Sequence, residues 1–265
     1  MQNLLYENSA LILMMIGMIA VSLRLLTTPS DRKRCEWIVV MLTFTYPLAY
    51  LISSACTWAA EIRPLKYDAY LLWIDGVLGF YPSYEMGRIV RGHRWLELLS
   101  GGIYNSTVVW PTAIFATYLY LKSPTEALRT LKVFTFAAIC AFPFYLVFPA
   151  ASPAVAFPGF PYALPSASLN LMWLKGPSNC VPSVHFTSAL LVLWYARHWI
   201  LGKVLGIVAV TFTIISTLGF GQHYAIDLVV AVPYAAWMYR MFGKSKRNAF
   251  HSHAYVVVRP LSESP

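Results

Sequence analysis

The chain has 265 residues, of which 58% are hydrophobic and only 12% are charged, and its mean hydropathy is +0.58. A soluble domain is usually about half apolar and about a quarter charged, so this composition excludes an ordinary water-soluble protein and predicts an integral membrane protein. The formal net charge is +9. The basic residues form short clusters between apolar runs, which is typical of membrane topology and lipid-headgroup contact and not of nucleic-acid binding.

Seven apolar runs approach the length of about 20 residues that a membrane-spanning helix needs. The first eight residues carry Glu7 and no lysine or arginine, so they lack the positive start of a cleavable signal peptide. We therefore expect the first run to remain as a span. The runs cover residues 9–27, 37–60, 102–121, 131–149, 184–201, 204–221 and 224–242.

Basic residues follow alternate runs, and such connections stay in the cytoplasm. This pattern predicts an outer N-terminus and a cytoplasmic C-terminus. It also brings His185 and His223, which are far apart in the chain, to the same outer membrane surface. The basic residues are Arg24, Arg32, Lys33, Arg34, Lys122, Arg129, Lys132, Arg197, Lys203, Arg240, Lys244, Lys246 and Arg247.

Two long connections then lie on the outer face. Residues 61–101 mix charges with aromatic and leucine residues, which predicts a weakly amphipathic helical segment in the membrane interface. Residues 150–183, which include "ASPAVAFPGFPYALPSAS", fit an ordered cover over a site and a simple tether equally well. We predict three parts of the chain: an extra N-terminal span and cytoplasmic loop (1–35), a membrane catalytic core (36–243) and a cytoplasmic tail (244–265).

His223 and Asp227 are four residues apart, so on a helix they lie on one face. Asp227 can accept a hydrogen bond from one imidazole nitrogen, which leaves the other as a nucleophile or a base. The alternative is a structural buried polar pair. Ionisable residues are costly within membrane segments and are usually functional there, which favours the catalytic interpretation.

His185 stands at the start of the fifth run, directly after "NCVPS". Pro182 and Ser183 suit a helix start, with Ser183 as the N-cap and backbone N–H groups exposed to an anion. A histidine there can donate a proton to a leaving oxygen. By itself His185 would more often be a histidine at the membrane interface than a catalytic group. The shared outer face with His223 and Asp227 favours a second catalytic group.

These motifs resemble those of a known family. "PSVHFTSA" (182–189) is similar to the second signature, and "STLGFGQHYAID" (216–227) to the third, of the type 2 phosphatidic acid phosphatase superfamily. "VFPAASP" (147–153) and "KYDAYLLWIDGVLGFYP" (66–82) are closest to its inositol phosphorylceramide synthase-like branch. The resemblance covers about residues 60–240.

The resemblance implies an all-α integral membrane protein with a six-helix core, one extra N-terminal span and an active site on the extracytoplasmic side. It implies that His223 attacks phosphorus, that Asp227 orients it and that His185 protonates the leaving group, through a phosphohistidine intermediate. It implies no metal and no other cofactor, and a membrane lipid as the substrate. We expect no nucleic-acid partner, and the oligomeric state stays open.

The sequence departs from the phosphatase pattern at the phosphate site. Thr217 stands where the phosphatases of the superfamily have an arginine, six residues before the nucleophile, and their lysine-containing first signature is absent near 147–153. Phosphoryl transfer depends on cations around the phosphate oxygens, so other residues have to supply them. The predicted substrate-binding residues are Arg63, Lys66, Lys175, Ser183, Thr217 and Gln222.

Three functions remain open from the sequence. The first is a lipid phosphate phosphatase, and the second is a phosphotransferase that moves a headgroup between lipids, as in the inositol phosphorylceramide synthase-like branch. The third is a non-catalytic lipid-binding or transport protein. His185, His223 and Asp227 favour an enzyme, whereas the missing arginine keeps the third function open.

Overall fold

A computed structural model describes residues 50–105, 109–165 and 168–243, together with positions 32 and 36. This part of the chain is mostly helical, as expected for the all-α class. The predicted first span, most of the second span and the tail with Lys246 lie outside the described residues. The domain boundaries and the count of six core helices plus one therefore stay predictions.

The helices are connected by short turns and by one long segment, residues 148–183, that carries only short elements. Two strands of two residues each pair antiparallel, with Leu65 opposite Trp173 and Lys66 opposite Met172. The last helix ends in a π-helical turn, Tyr239–Gly243. In chain order the elements are α1 (50–62), β1 (Leu65–Lys66), α2 (Asp68–Gly76), α3 (Pro82–Gly92), α4 (Arg94–Asn105), α5 (Val109–Leu121), α6 (Pro124–Ile139), α7 (Phe142–Val147), α8 (Pro153–Ala156), β2 (Met172–Trp173), α9 (Val184–Ala196), α10 (Ile200–Gly219) and α11 (Ala225–Met238).

Within the described ranges, three helical stretches are long and apolar enough to cross a membrane: Pro124–Val147, Ile200–Gly219 and Ala225–Gly243. Helix α9 is a shorter apolar helix. Large apolar side chains on these helices are exposed, Ile200 and Val229 among them. Because a soluble protein rarely exposes large contiguous apolar patches, these side chains fit contact with lipid. The protein is a membrane protein by these features.

Several predicted helix boundaries differ from the observed ones. The fourth run begins at Pro124, not at 131, since the Ser123 side chain accepts a hydrogen bond from the Glu126 N–H (3.2 Å) and caps the helix. The fifth run ends at Ala196, and the turn that follows lets α10 begin at Ile200 instead of 204. The described part of the third run belongs to two helices, α4 and α5.

The segment 61–101, which the sequence predicted as a weakly amphipathic helical segment in the membrane interface, is largely helical, and its place in the interface stays a prediction. It forms α2, α3 and α4, and both α3 and α4 pack along α10. Gly219 permits this close contact, because a Cβ there would lie 2.5 Å from the Val90 side chain. Helices α3 and α4 are each amphipathic when taken singly, so the pattern is weak only when the whole segment is treated as one helix.

For residues 150–183 the sequence left open an ordered cover over a site or a simple tether, and the structure favours the ordered cover. Ala150, Ala156 and Phe157 are buried in one apolar cluster with Leu72 of α2. The Ala154 N–H donates to the Gly221 carbonyl (3.0 Å), just before His223. The described residues of this segment, 150–165 and 168–183, are called the cover segment below, and they pack over the end of the bundle that holds the histidines.

The two ends of the bundle differ in character. His185 begins α9 and His223 precedes α11, whereas Arg197 follows the other end of α9 and Arg240 follows the other end of α11. The histidines and the basic connections therefore lie at opposite ends. This arrangement fits the predicted topology, and the assignment of the ends to particular sides of the membrane stays a prediction.

Candidate active site

His223 lies in the turn between α10 and α11, and not on the helix that the four-residue spacing predicted. Gly221 turns the chain with a positive φ of 62°, and the N–H groups of Gln222 and His223 both donate to the Thr217 carbonyl at 2.9 and 3.1 Å. The Ser83 hydroxyl donates to the His223 carbonyl at 3.0 Å. The turn thus holds the backbone of His223 from two sides.

The His223 ring nevertheless meets Asp227. Its Nδ1 lies 3.3 Å from Asp227 Oδ2 and 3.1 Å from the Cys180 carbonyl oxygen. Both partners are acceptors, so the neutral ring carries its proton on Nδ1 and keeps a lone pair on Nε2. His223 is 2% exposed and Asp227 is fully buried. This geometry can produce an oriented nucleophile or base.

Asp227 also stabilises the first turn of its own helix. Its Oδ2 accepts a hydrogen bond from the Tyr224 N–H (2.8 Å), which is part of a capping box. A single oxygen therefore orients the imidazole and stabilises the helix start. Because both bonds originate in one turn, the carboxylate keeps its position relative to the ring.

His185 is the second residue of α9, and Ser183 is the N-cap, as the sequence predicted. The Ser183 Oγ accepts a hydrogen bond from the Phe186 N–H at 3.3 Å. The rings of His185 and His223 have centroids 6.2 Å apart. Two imidazoles at this separation can both reach one small group between them.

Two carboxylates that the sequence analysis missed support the start of α11. Asp75 accepts hydrogen bonds from the N–H groups of Ala225 (2.8 Å) and Ile226 (3.1 Å). Asp68 accepts one from the Tyr224 hydroxyl (2.8 Å) and another from the Ala151 N–H (3.0 Å). Asp68 and Asp75 are seven residues apart, so they share one face of the otherwise apolar α2. That spacing was the signal that could have found them.

Both of these carboxyl groups are buried. Burial raises the pKa of Asp68 and of Asp75 to about 6, although their hydrogen bonds act in the opposite direction. The cost of burying a charge therefore exceeds the gain from the hydrogen bonds near this site.

Lys66 is fully buried next to the cover segment. Its Nζ donates to the Gly176 carbonyl and to the Ser178 Oγ (2.9 Å), and burial lowers its pKa. Lys66 thus anchors the loop that leads through Cys180 to the start of α9. Of the three predicted cationic residues, Lys66 is buried, whereas Arg63 and Lys175 are exposed.

The remaining predicted substrate-binding residues differ in accessibility. Thr217 is fully buried, and its hydroxyl donates to the Thr213 carbonyl of its own helix at 2.7 Å. Ser183 is also buried, and its hydroxyl caps α9. Gln222 is half-buried in the turn before His223. The substrate-binding role of all six residues stays a prediction.

Among the described residues, Cys180, His223 and Asp227 offer potential metal ligands within 4.8 Å of one another. The Cys180 thiol instead donates to the Ala151 carbonyl at 2.8 Å. Burial raises the pKa of this thiol well above its ordinary value, which opposes the thiolate that a metal would need. These residues fit a hydrogen-bonded cluster better than a metal centre.

A histidine–aspartate pair and a second histidine thus lie together at one end of an apolar helix bundle. The family model of the PAP2 superfamily matches residues 69–241, so the chain belongs to the PAP2 superfamily. Members of this superfamily are generally phosphatases, which supports an enzyme. No curated protein and no solved structure matches the chain.

Proposed function

We propose that this protein is a metal-independent lipid phosphatase or phosphotransferase that acts at the extracytoplasmic membrane face through a phosphohistidine. The observation that carries the proposal is the pairing of His223 Nδ1 with Asp227 and the Cys180 carbonyl, which leaves the lone pair on Nε2. The second imidazole, His185, has its centroid only 6.2 Å away.

In the first step, the Nε2 lone pair of His223 forms an N–P bond with the lipid phosphate. The P–O bond to the lipid alcohol breaks, and its electron pair stays on the departing oxygen. The protonated His185 gives its proton to that oxygen. Asp227 stabilises the positive charge that develops on His223.

In the second step, an acceptor hydroxyl attacks phosphorus and the N–P bond breaks. The neutral His185 takes the acceptor's proton, which restores both histidines. If water is the acceptor, inorganic phosphate or a phosphomonoester leaves. If a lipid alcohol is the acceptor, the phosphoryl or headgroup unit is transferred.

The buried Thr217 favours a second candidate, a headgroup phosphotransferase like the inositol phosphorylceramide synthases. Thr217 stands where the phosphatases of the superfamily have an arginine, and its hydroxyl is bonded within its own helix. A terminal phosphate monoester carries up to two negative charges and a diester only one, so a site with fewer cations suits a diester. Lys66 and Lys175 are the candidates to supply positive charge.

Turnover by the purified protein in lipid–detergent micelles tests these proposals. We expect His223-dependent release of inorganic phosphate from phosphatidic acid for a phosphatase. For a headgroup phosphotransferase, we expect His223-dependent cleavage of phosphatidylinositol with transfer to a lipid alcohol. No turnover of either lipid would favour a non-catalytic lipid-binding or transport protein.

Two substitutions then test which residue supplies positive charge to the phosphate. Lys175→Met should lower turnover about 10-fold if Lys175 makes a charge-assisted contact with the phosphate. Thr217→Arg should raise the ratio of monoester to diester turnover. If Lys175→Met has no effect on either lipid and the wild type prefers the monoester, the proposed diester preference is wrong.

A further inference from the structure

Tyr104 makes a close contact with His185 that no sequence motif indicates. Tyr104 lies near the end of α4, and its ring stacks on the His185 imidazole with centroids 4.3 Å apart and planes 19° apart. The Phe220 ring packs edge-on against Tyr104, with centroids 6.4 Å apart. Residues from three different elements thus form one aromatic stack at the site.

A histidine at this position needs such a neighbour if it is to act as an acid. His185 is at the start of α9, where the positive end of the helix dipole opposes a positive charge on the ring. It is half-buried and faces a second imidazole. The stacked Tyr104 ring restrains the plane of the imidazole, and an aromatic face attracts the positive charge that the ring would carry as an acid.

The stack also leaves the reactive atoms of His185 available. Within the part of the chain that the structure describes, no hydrogen bond to the ring nitrogens of His185 is present. A carboxylate or carbonyl partner would hold one ring N–H, whereas a stacked ring restrains the imidazole plane without occupying a nitrogen. Both nitrogens can then exchange protons with a leaving or attacking oxygen.

We propose that Tyr104 is a positioning residue that holds His185 as the general acid and thereby allows the enzyme to expel strongly basic leaving groups. The proposal rests on the proposed function, since it assigns His185 to protonation of the leaving oxygen. A lipid alkoxide requires a proton as it departs, whereas 4-nitrophenolate departs without one. The contribution of Tyr104 should therefore depend on the leaving group.

The test compares Tyr104→Leu and Tyr104→Phe on paired substrates in micelles. The monoester pair is phosphatidic acid and 4-nitrophenyl phosphate, and the diester pair is phosphatidylinositol and 4-nitrophenyl phosphocholine. The variants are compared on whichever of these two substrate pairs the wild-type protein turns over. We expect Tyr104→Leu to lower kcat/KM for the lipid about 10- to 100-fold and for the nitrophenyl ester less than about 3-fold. Tyr104→Phe, which keeps the ring, should retain most of the wild-type rate on both.

Two controls separate positioning from a loss of folding. Tyr162→Leu makes the same change at a side chain that is 71% exposed, and it should leave both rates unchanged. In a His185→Gln background, Tyr104→Leu should have no further effect on the lipid rate, because the residue it positions is gone.

Three results would overturn the inference. They are an equal loss on both substrates, a failure of Tyr104→Phe to restore the lipid rate, and an undiminished effect of Tyr104→Leu in the His185→Gln background. A wild type without His223-dependent turnover on either pair would overturn the proposed function itself, and this inference with it. A wild type that is active and depends on His223, but shows no leaving-group difference for Tyr104→Leu, would overturn this inference alone.

Discussion

The two histidines of the site are held in different ways. His223 is fixed by hydrogen bonds at its N–H, its carbonyl and its Nδ1, with Thr217, Ser83 and Asp227 among the partners. His185 is restrained by a helix start and by one stacked ring, that of Tyr104. The first arrangement defines the tautomer of the ring, and the second defines only its plane.

This difference matches what the two proposed roles require. A nucleophile needs one nitrogen with a lone pair throughout the reaction, so its other nitrogen must hold a proton against an acceptor. An acid that later acts as a base must exchange its proton, so a permanent hydrogen-bond partner would hinder it. Buried carboxylates accordingly surround the start of α11, near His223, and an aromatic stack accompanies His185.

Removal of the nucleophile should have the largest effect. His223→Ala should lower turnover by at least about 10⁴-fold, because it removes the oriented nitrogen that forms the N–P bond. His198→Ala, at the opposite end of α9 and exposed, is the matched control and should keep the wild-type rate. The turnover of both variants is measured as phosphate release or as headgroup transfer. Near-native turnover by His223→Ala would disprove the mechanism.

Removal of the orienting charge should cost less. Asp227→Ala should lower kcat by about 10²- to 10⁴-fold, since the imidazole keeps its chemistry but loses its fixed tautomer. Rapid alkaline quench, which preserves the acid-labile N–P bond, should still trap labelled His223 after mixing with ³²P-labelled lipid, at a reduced rate. Label trapped at the wild-type rate would show that Asp227 does not orient the nucleophile.

The support of α11 by α2 should have a smaller effect. Asp75→Asn removes a charge and one of two acceptors for the N–H groups of Ala225 and Ile226, and a lost helix cap costs about 0.5–2 kcal/mol of stability. We expect kcat to fall about 10-fold with KM little changed, because the turn that carries His223 shifts. Glu85→Gln, at an exposed carboxylate on α3, is the control. A change in KM alone would contradict a positioning role for Asp75.

The smallest effect concerns pH. The pKa values of Asp68 and Asp75 are raised from 3.8 to about 6 in the folded protein, so deprotonation disfavours the folded state. Their contribution to stability is fully present below pH 3.8 and is lost as the pH rises through 6, on the order of 2 kcal/mol for each group. The fall in Tm between pH 4 and 6.5 should be shallower in Asp75→Asn than in the wild type. Equal slopes would show that Asp75 keeps an ordinary pKa.

The sequence predicted the parts of this site that follow from local spacing. "HYAID" predicted the contact between His223 and Asp227, although His223 precedes the helix, because a capping turn brings residues four apart together as a helix does. "PS" before His185 predicted the helix start, because Ser183 acts on the next turn of its own chain. These contacts need only short-range geometry.

Other partners lie far along the chain, and spacing carries no information about them. Asp75 is 150 residues from Ala225, and the Cys180 carbonyl is 43 residues from His223. Cys180 has a buried side chain. Its role at the site comes from its backbone carbonyl, which every residue type possesses, so the identity of the side chain could not indicate it.

Composition and hydropathy by themselves determined the membrane class, and the two histidine motifs determined the superfamily. Each of these signals is contained in a short stretch of sequence and needs no knowledge of distant partners. Only the tertiary structure decided that segment 61–101 packs along α10, that Lys66 is buried under the cover segment and that Tyr104 stacks on His185. The physical reason is that helix packing, buried charges and aromatic stacks are stabilised by partners distant in sequence. Their positions depend on how the whole bundle buries its surface and satisfies its polar groups.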